Sequence, residues 1–322
     1  MSRYLVRRLL EAVPLLLGVT LAVFIVLQVL PGGPLAAYES DPTLTTADIA
    51  NLRDHFGMNE AIPIRYLRWL EAILHGDLGY SLVTHQPVAA AIADRLPNTL
   101  LLQGIAFLVT VAIAFPVGVL SAVRQYSWLD HLATLFAFAG HAVPTFWSGL
   151  LAIIVFAVLF KELGLPSLPA SGMTTLGVPS SPGDRIAHLV LPVAVLAFFN
   201  AAHYTRYVRA CMLDVLHDDY IQTARAKGLA NGAVVLGHAL RNAVLPVITI
   251  IALDVPSLFS GTVVVESIFA WPGMGRLFLD SAQRFDYAIV MGVVTISATL
   301  VILSALVADL VYGLVDPRVR LT

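Results

Sequence analysis

A few polar and acidic side chains lie inside long apolar segments of this sequence, and they are its first candidates for chemistry. Asp254 lies midway along one such segment, and Asn200 and His203 lie in the segment before it. An ionisable group at membrane depth is costly, so it usually pairs within the protein or contacts a polar solute. Each of the three is therefore either a hydrogen-bonded group in a subunit interface or a side chain lining a path. Asp309, near the end of the last apolar segment, is interpreted as a structural acid at a helix end.

The motifs of common hydrolytic and nucleotide-dependent enzymes are absent from the sequence. It contains no G-x-x-x-x-G-K-[ST] phosphate loop, and its only lysines are Lys161 and Lys227. It also lacks H-E-x-x-H and G-x-S-x-G, and its nine histidines show no metal-ligand spacing. The single cysteine, Cys211, cannot form a disulfide within the chain. We therefore expect no catalytic residue, no metal site and no cofactor in this chain.

The elements that must position these residues are membrane-spanning helices. Of 322 residues, 58% are hydrophobic and only 12% are charged, about half the charged share of a soluble domain. No charged side chain occurs in residues 12–38, 96–123 or 288–308, and each of these runs reaches the roughly 20 residues that cross a bilayer as helix. We predict an all-α polytopic membrane protein with six transmembrane helices, at about residues 9–30, 99–123, 132–160, 188–205, 243–265 and 288–312.

The first apolar segment is either a retained span or a cleaved signal peptide. We expect it to be retained, because its apolar run exceeds the 7–15 residues of a signal core and no clear small-x-small site follows. Six spans place both termini on one side, where 11 Lys and Arg would fall in 63 residues, against 8 in 117 on the other. The denser basic side is predicted to be cytoplasmic. Both termini and the loop at residues 206–242 should therefore lie inside the cell.

Residues 31–98 are too long for a simple connector and are predicted to form a small helical extracytoplasmic subdomain after the first span. Thr45 and Asp48 fit a capping box at the start of a helix that ends near Gly57. The predicted organisation is then the N-terminus with the first span (1–30), this subdomain (31–98), a five-helix transmembrane core that includes the loop 206–242 (99–312) and a cytoplasmic tail (313–322).

A second helix of the subdomain is predicted at about residues 62–75. It would place Leu67, Leu70 and Leu74 on one face and stop at Gly76. The subdomain is either a lid packed on the ends of the spans or a docking surface for an external partner.

The longest cytoplasmic loop contains DYIQTARAKGLANGAVVLGHALRNAVLPV at residues 219–247. Asp218 or Asp219 can cap a helix that runs to Lys227, with Gly228 as the left-handed residue that ends it. A second helix at about 233–241 would lead into the fifth span. The first helix is either a basic anchor on lipid headgroups or a helix that seats in a groove of a cytoplasmic protein. Small residues near its end favour the groove, because they permit a close backbone approach.

Seven stretches carry a family resemblance over the whole length of the chain. They are RYLVRRLL (3–10), LPGGP (30–34), GDLGYS (76–81), DYIQTARAKGL (219–229), HALRNAVLPV (238–247), VVVESIFAWPGMGRL (263–277) and DPRVR (316–320). In this order they resemble the permease subunits of the dipeptide, oligopeptide and nickel importers of the ATP-binding-cassette (ABC) class. One departure is Gly33, where the family commonly has Asp.

This resemblance implies a non-catalytic six-helix subunit in a prokaryotic inner membrane, surrounded by lipid and paired with a second, similar permease. Two cytoplasmic subunits would bind ATP and magnesium, and an extracytoplasmic binding protein would deliver the substrate. The resemblance implies peptides first, with nickel chelates, glutathione or oligosaccharides as alternatives, and it implies no nucleic acid. The rival is an ion-coupled secondary transporter that uses Asp254 and Asp309, although the sequence shows no internal repeat.

The resemblance implies two sets of site residues, and the residues themselves suggest a third. The coupling loop, 206–242, would contact an ATPase through Tyr220, Gln222, Thr223, Ala224, Arg225, Lys227, Gly228 and Leu229. The loop at 266–287 would lie where the binding protein docks, with Glu266 (more a tether than a ligand), Trp271, Pro272 and Gly273. The translocation path would be lined by Asp254, Asn200 and His203.

Overall fold

The computed structural model describes residues 2–29, 35, 45–55, 57–81, 83–179 and 181–315. The motif LPGGP with Gly33, the motif DPRVR and most of the predicted tail lie outside the described residues. Within the described ranges the chain is helical, and its strand-like pairing is limited to an isolated bridge between Tyr80 and Pro87. The predicted all-α class is confirmed.

The helices of the described residues follow one another along the chain in this order. They are α1 (Ser2–Val29), α2 (Thr46–His55), α3 (Ile62–Leu74), α4 (Val88–Val123), α5 (Trp128–Ala142), α6 (Thr145–Glu162), α7 (Pro182–Leu216), α8 (Asp219–Ala226), α9 (Asn231–Phe259), α10 (Val263–Ile268), α11 (Met274–Gln283) and α12 (Tyr287–Val315). Two of them contain a π-helical stretch, Ile153–Leu159 in α6 and Val234–Ala239 in α9.

Six helices in the described ranges are long and apolar enough to cross a membrane, namely α1, α4, α6, α7, α9 and α12. The predicted number of spans is confirmed. Following the predicted orientation, we call the side that carries residues 45–87 the outer side and the side that carries residues 217–230 the inner side.

The third span was predicted as one segment, 132–160, and the structure divides it. Val143 is extended, with φ −92° and ψ 125°, and Pro144 is the N-cap residue of α6. A proline disfavours helical backbone in the residue before it. The chain therefore stops α5 at Ala142 and begins the crossing helix α6 at Thr145.

The second and fourth spans extend well beyond the predicted 99–123 and 188–205. Helices α4 and α7 have 36 and 35 residues, which at 1.5 Å per residue is about 53 Å. A hydrocarbon core is about 30 Å thick, so both helices continue into the aqueous layers. Charged residues near the ends of these helices interrupt the apolar runs, so the sequence predicted shorter spans. In particular, α4 passes through the boundary drawn between residues 98 and 99.

The fifth span is displaced toward the chain's N-terminal side, from the predicted 243–265 to α9, Asn231–Phe259. The helix that enters from the inner loop continues into the span without a break. At the outer end, regular α-helix stops at Asp254, shortly before Pro256, and Gly261 has a φ of 73°. Proline lacks a donor N–H and a left-handed residue reverses the chain, so residues 263–265 belong to a separate helix, α10.

Helix α7 forms the centre of the bundle because its neighbours approach it through glycines. A Cβ atom added at Gly118 of α4 would lie 2.7 Å from Cβ of Val208, and one added at Gly140 of α5 would clash with Cβ of Ala202. Ala201, Ala202 and Val208 are almost completely buried. Both approaches therefore depend on the absence of a side chain, and they hold α4, α5 and α7 together as one unit.

The outer subdomain packs on the outer ends of α1 and α12 through α3. The phenol of Tyr66 is buried, lies 3.0 Å from the hydroxyl of Thr20 and donates to the carbonyl oxygen of Leu17 at 3.2 Å. The ring of Phe24 meets Tyr66 edge-on at 5.4 Å, and Trp69 stacks beside it. This contact supports the lid interpretation of the subdomain.

Helix α3 does not turn its three leucines toward the spans together. Leu67 and Leu74 are 62% and 78% exposed, whereas Tyr66, Trp69 and Leu70 pack against the spans. Aromatic side chains bury more apolar area than leucine, and the Tyr66 hydroxyl finds partners on α1. The aromatic face therefore turns inward and leaves the two leucines on the far side.

The local signals of the subdomain are confirmed. The backbone N–H of Thr45 donates to Asp48 Oδ2 at 2.9 Å, and the N–H of Asp48 donates to Thr45 Oγ1 at 3.2 Å. This is a reciprocal capping box. Gly57 and Gly76 adopt φ values of 63° and 81° just beyond the ends of α2 and α3, as expected for residues that end helices.

Candidate functional site

The inner loop forms a short helix, α8, whose end has a defined geometry. Gly228 has a φ of 78°. Its N–H donates to the carbonyl of Arg225 at 3.0 Å, and the N–H of Leu229 donates to the carbonyl of Ala224 at 3.4 Å. This pair of bonds is a Schellman motif, which requires a left-handed residue. The predicted conformation of Gly228 is confirmed, whereas the side chain of Asp218, at the N-cap, makes no capping hydrogen bond.

One face of α8 packs on the chain itself. Ile221 is fully buried and Ala224 is 7% exposed, and both lie in an apolar cluster with Met212 of α7 and with Val234 and Ala239 of α9. Ala224 was predicted to contact a partner, and this was wrong for its side chain. It faces inward because the helical period places residue 224 above Ile221.

The other face of α8 is open. The remaining candidates of the coupling loop are all exposed: Tyr220, Gln222, Thr223, Arg225, Lys227, Gly228 and Leu229. The Tyr220 hydroxyl accepts a hydrogen bond from Asn242 Nδ2 at 2.7 Å, which ties this face to the start of the fifth span. A Cβ atom added at Gly228 would meet nothing within 4 Å. The surface is therefore polar, with Arg225 and Lys227 near its end and unoccupied space over the glycine.

Behind α8, an ion pair that was not predicted joins α4, α5 and α7. Arg209 donates from Nε to Asp130 Oδ1 at 2.7 Å and from Nη2 to Oδ2 at 2.9 Å. Ser121 Oγ donates to the same carboxylate, and the backbone N–H of Tyr126 adds a bond of 2.9 Å. The Arg209 guanidinium, with these two donors, holds the pKa of Asp130 well below its usual range. The sequence signal that could have pointed to Asp130 is the Ser127-x-x-Asp130 pattern, which is typical of the start of a helix.

Two of the three candidates for the path contact Tyr204. Its hydroxyl donates to Asp254 Oδ2 at 2.6 Å, and its ring lies 5.6 Å from that of His203. The His203 ring also lies 4.8 Å from the ring of Tyr207. Asn200, one turn before Tyr204, is exposed. The structure thus brings Asp254 next to the α7 segment that carries the other two candidates, and their role in a path stays a prediction.

Asp309 makes an ion pair across the first and last helices. Its Oδ2 lies 3.0 Å from Nη2 of Arg8, and the acid side chain is 19% exposed. The geometry agrees with the predicted structural role at a helix end.

The loop between the fifth and sixth spans folds around the buried carboxylate of Glu266. Thr99 Oγ1 donates to its Oε1 at 2.9 Å and the backbone N–H of Arg276 donates to its Oε2 at 3.0 Å. Trp271 Nε1 donates to the carbonyl of Asn98 at 2.9 Å. Burial raises the pKa of Glu266 above the ordinary 4.5, and these hydrogen bonds oppose the shift. Glu266 therefore tethers the loop to α4, as expected.

These bonds leave the predicted docking residues little free surface. Glu266 and Trp271 are fully buried, Gly273 is buried, and Pro272 is half-buried. A Cβ atom at Gly273 would lie 2.5 Å from Thr99 Oγ1. In this conformation Glu266, Trp271 and Gly273 cannot contact a docked protein, so that part of the prediction was wrong. A docking role of the loop stays a prediction and would fall to its exposed neighbours.

Comparison with known families gives two matches that together span nearly all of the chain. Residues 114–321 match the family described as "Binding-protein-dependent transport system inner membrane component". Residues 1–103 match the corresponding N-terminal family of membrane components. The chain belongs to this family. It is therefore a multi-pass inner-membrane component of a binding-protein-dependent transport system.

Full-length relatives agree with the family. The oligopeptide transport system permease protein AppB of Bacillus subtilis is 45% identical over 321 residues, covering 99% of this chain and 100% of that protein. The dipeptide transport system permease protein DppB of Escherichia coli is 37% identical over 336 residues, covering 99% of both. A solved structure described as an amino acid ABC transporter with histidines has 14% identity, covers 72% of this chain and 95% of that chain, and has a TM-score of 0.48. A likeness of that size adds nothing to the assignment.

Proposed function

We propose that this chain is a non-catalytic permease subunit of an ATP-driven importer for short peptides, and that it forms half of the translocation path. The observation that carries the proposal is full-length similarity to permeases of oligopeptide and dipeptide transport systems, at 45% and 37% identity. The second half of the path is contributed by a similar permease subunit. An extracytoplasmic binding protein delivers the peptide, and both termini of this chain face the cytoplasm.

ATP and magnesium are bound by two cytoplasmic partner subunits. The sequence has no phosphate-binding loop, so ATP must be hydrolysed by a separate subunit. The exposed face of α8 is the surface on which the movement of that subunit acts. It suits a protein groove better than a lipid surface, because its apolar face is already covered by α7 and α9. An interfacial membrane helix needs that face free to enter the headgroup layer.

The substrate is tested with the complete transporter in proteoliposomes. ATP hydrolysis should rise when the binding protein is loaded with di- or oligopeptides, and labelled peptide should accumulate inside. If a nickel chelate, glutathione or an oligosaccharide stimulated ATP hydrolysis and peptides did not, the chain would be assigned to an importer of the same class with that substrate. ATP turnover by this subunit alone, free of contaminating ATPase, would contradict its non-catalytic role.

The coupling role of α8 is tested at Gly228. Gly228→Leu adds bulk to the open face and left-handed strain of about 1–2 kcal/mol, while Gly228→Asn adds little strain because asparagine tolerates that conformation. Gly232→Leu is the control for added bulk, since Gly232 lies in the first turn of α9 on the inner side, with open space around it and no left-handed φ. We expect Gly228→Leu to reach the membrane normally but lose transport, with Asn intermediate and the control active. Full transport by Gly228→Leu would favour a headgroup anchor instead.

The orientation is tested by labelling single cysteines in a Cys211→Ser background. Asn59 lies on the outer side and Asn231 on the inner side, and both are exposed. A cysteine at position 59 should react with an impermeant thiol reagent in intact cells, and one at 231 only after lysis. The reverse pattern would invert the topology.

A further inference from the structure

A cavity of about 320 Å³ lies between the outer ends of α1 and α12 and the subdomain helix α3. Its walls are mainly apolar and include Phe24, Leu27, Trp69, Ala72, Ala288 and Met291. The cavity opens where the two spans leave the membrane, because Leu27 is near the end of α1 and Ala288 is near the start of α12. It is separate from α8 and from the residues around Asp254.

Polar groups at the same cavity lack partners of their own. The hydroxyl of Tyr287 and Oε2 of Glu60 are both buried and make no hydrogen bond within the described ranges. Both residues line the cavity. A buried polar atom without a partner is costly. A ligand that offers an acceptor to the Tyr287 hydroxyl and a donor to Glu60 Oε2 would therefore be stabilised here.

Two arginines supply positive charge beside these groups. Arg65 donates to Gln28 Oε1 and, at 3.5 Å, to the carbonyl of Met58. Arg68 pairs with the other oxygen of Glu60 at 2.8 Å. Guanidinium groups bind phosphate well because they present several donors in a plane. The lining thus combines phosphate-binding donors with a carboxylate that can accept from an ammonium group.

The far face of α3 shows where the cavity lies relative to the bilayer. Ile64, Leu67 and Leu74 are 48%, 62% and 78% exposed, whereas the opposite face packs on the spans. A helix with apolar side chains on an open face and arginines beside them suits the boundary between headgroups and acyl chains. That position brings the cavity to the level of the phosphates.

We propose that this cavity holds one zwitterionic phospholipid, phosphatidylethanolamine, from the outer leaflet. An acyl chain fills the apolar walls, the phosphate accepts from Arg65, Arg68 and Tyr287, and the ammonium group donates to Glu60 Oε2. The lipid thereby joins the subdomain to the first and last spans. This site is independent of the transported substrate and of the coupling surface.

The test measures phospholipid retained by the complete transporter after extensive detergent washing, by native mass spectrometry. Ala72→Trp and Ala288→Trp place bulk in the cavity, and Ala90→Trp, at an exposed position of α4, is the matched control. We expect the wild type and the control to retain one phosphatidylethanolamine more than the two cavity variants. Equal retention in all four proteins, or no phosphatidylethanolamine on the wild type, would overturn the proposal.

A conservative variant tests the headgroup without endangering the fold. Glu60→Gln keeps the shape of the side chain and removes its charge. Loss of one charge-assisted hydrogen bond should lower the preference for phosphatidylethanolamine over phosphatidylglycerol about tenfold. An unchanged preference in Glu60→Gln would contradict the assignment of the ammonium group, even if both tryptophan variants failed to assemble.

Discussion

Replacing Arg209 with methionine should destabilise the inner half of the bundle. The loss of stability should become smaller as the pH falls, which is the reverse of the usual behaviour of an acid in a folded protein. The side chain of Asp130 is only 4% exposed, while that of Arg209 is 28% exposed. Removing the arginine leaves a buried carboxylate, and breaking a buried pair from one side costs about 3–5 kcal/mol. Ser121 and the backbone of Tyr126 still donate to Asp130, so we expect the lower end, about 3 kcal/mol.

The pH dependence follows from the carboxylate. In the wild type the pKa of Asp130 is held below the ordinary 3.8, so its stabilisation is complete at pH 7 and is lost only in strong acid, as the pH falls through that lowered pKa. Without Arg209, burial dominates and raises the pKa of Asp130 above its ordinary value. The folded variant then binds a proton more tightly than the unfolded chain, so the variant should gain stability between pH 7 and pH 5 while the wild type does not.

The assay is the thermal midpoint of the purified complex at the two pH values. At roughly 2–4 °C per kcal/mol, Arg209→Met should lower the midpoint by about 6–12 °C at pH 7, and by less at pH 5. The double variant Asp130→Asn/Arg209→Met has no buried charge and should recover part of the loss. A double variant no more stable than Arg209→Met would refute a cost from the buried charge. A difference in midpoint between the wild type and Arg209→Met that is larger at pH 5 than at pH 7 would also refute it.

Three further variants have definite expected outcomes. Gly273→Ala places a Cβ 2.5 Å from Glu266 Oε2 and Thr99 Oγ1, so assembly of the complex, measured by co-purification, should fall steeply. The folded chain holds the proton of Glu266 more tightly than the unfolded chain, so the wild type should lose stability as the pH rises above 4.5. Glu266→Gln should abolish this loss, and thermal midpoints across pH 5–8 check it. Tyr204→Phe frees Asp254 from its 2.6 Å bond and should reduce peptide uptake about tenfold if Asp254 meets the substrate. Unchanged uptake with a lower midpoint would instead leave Asp254 as an internal structural acid.

Features set by a few neighbouring residues could be predicted from the sequence. The capping box of Thr45 and Asp48 and the left-handed Gly228 depend on backbone geometry within one turn, so residue type and order are sufficient. The number of spans was equally accessible, because a bilayer demands about twenty apolar residues from each crossing helix. The tether role of Glu266 was predicted from its position at the start of the loop.

Features set by distant partners could not be predicted in this way. The inward face of α3 is chosen by contacts of Tyr66 with α1, which no pattern inside α3 reveals. Ala224 turns inward because α9 supplies a surface for it. Asp130 and Arg209 lie 79 residues apart, and each alone resembles an ordinary charge near a helix end. Residue order therefore indicates which loop or helix a side chain belongs to, whereas the face on which it lies depends on distant partners.

The unbroken length of α7 has a mechanical consequence. The helix is a rod of 35 residues that includes Pro192 and is about 52 Å long. Two residues separate its end from the start of α8, and it starts beside the outer loop, where Asp184 accepts hydrogen bonds from Thr175. Rotating such a rod by about 5° around one end moves the other end by about 4–5 Å, by the geometry of that length. Because close contacts at Gly118 and Gly140 hold α4 and α5 to α7, we expect a tilt of α7 to move the outer ends of the three helices together.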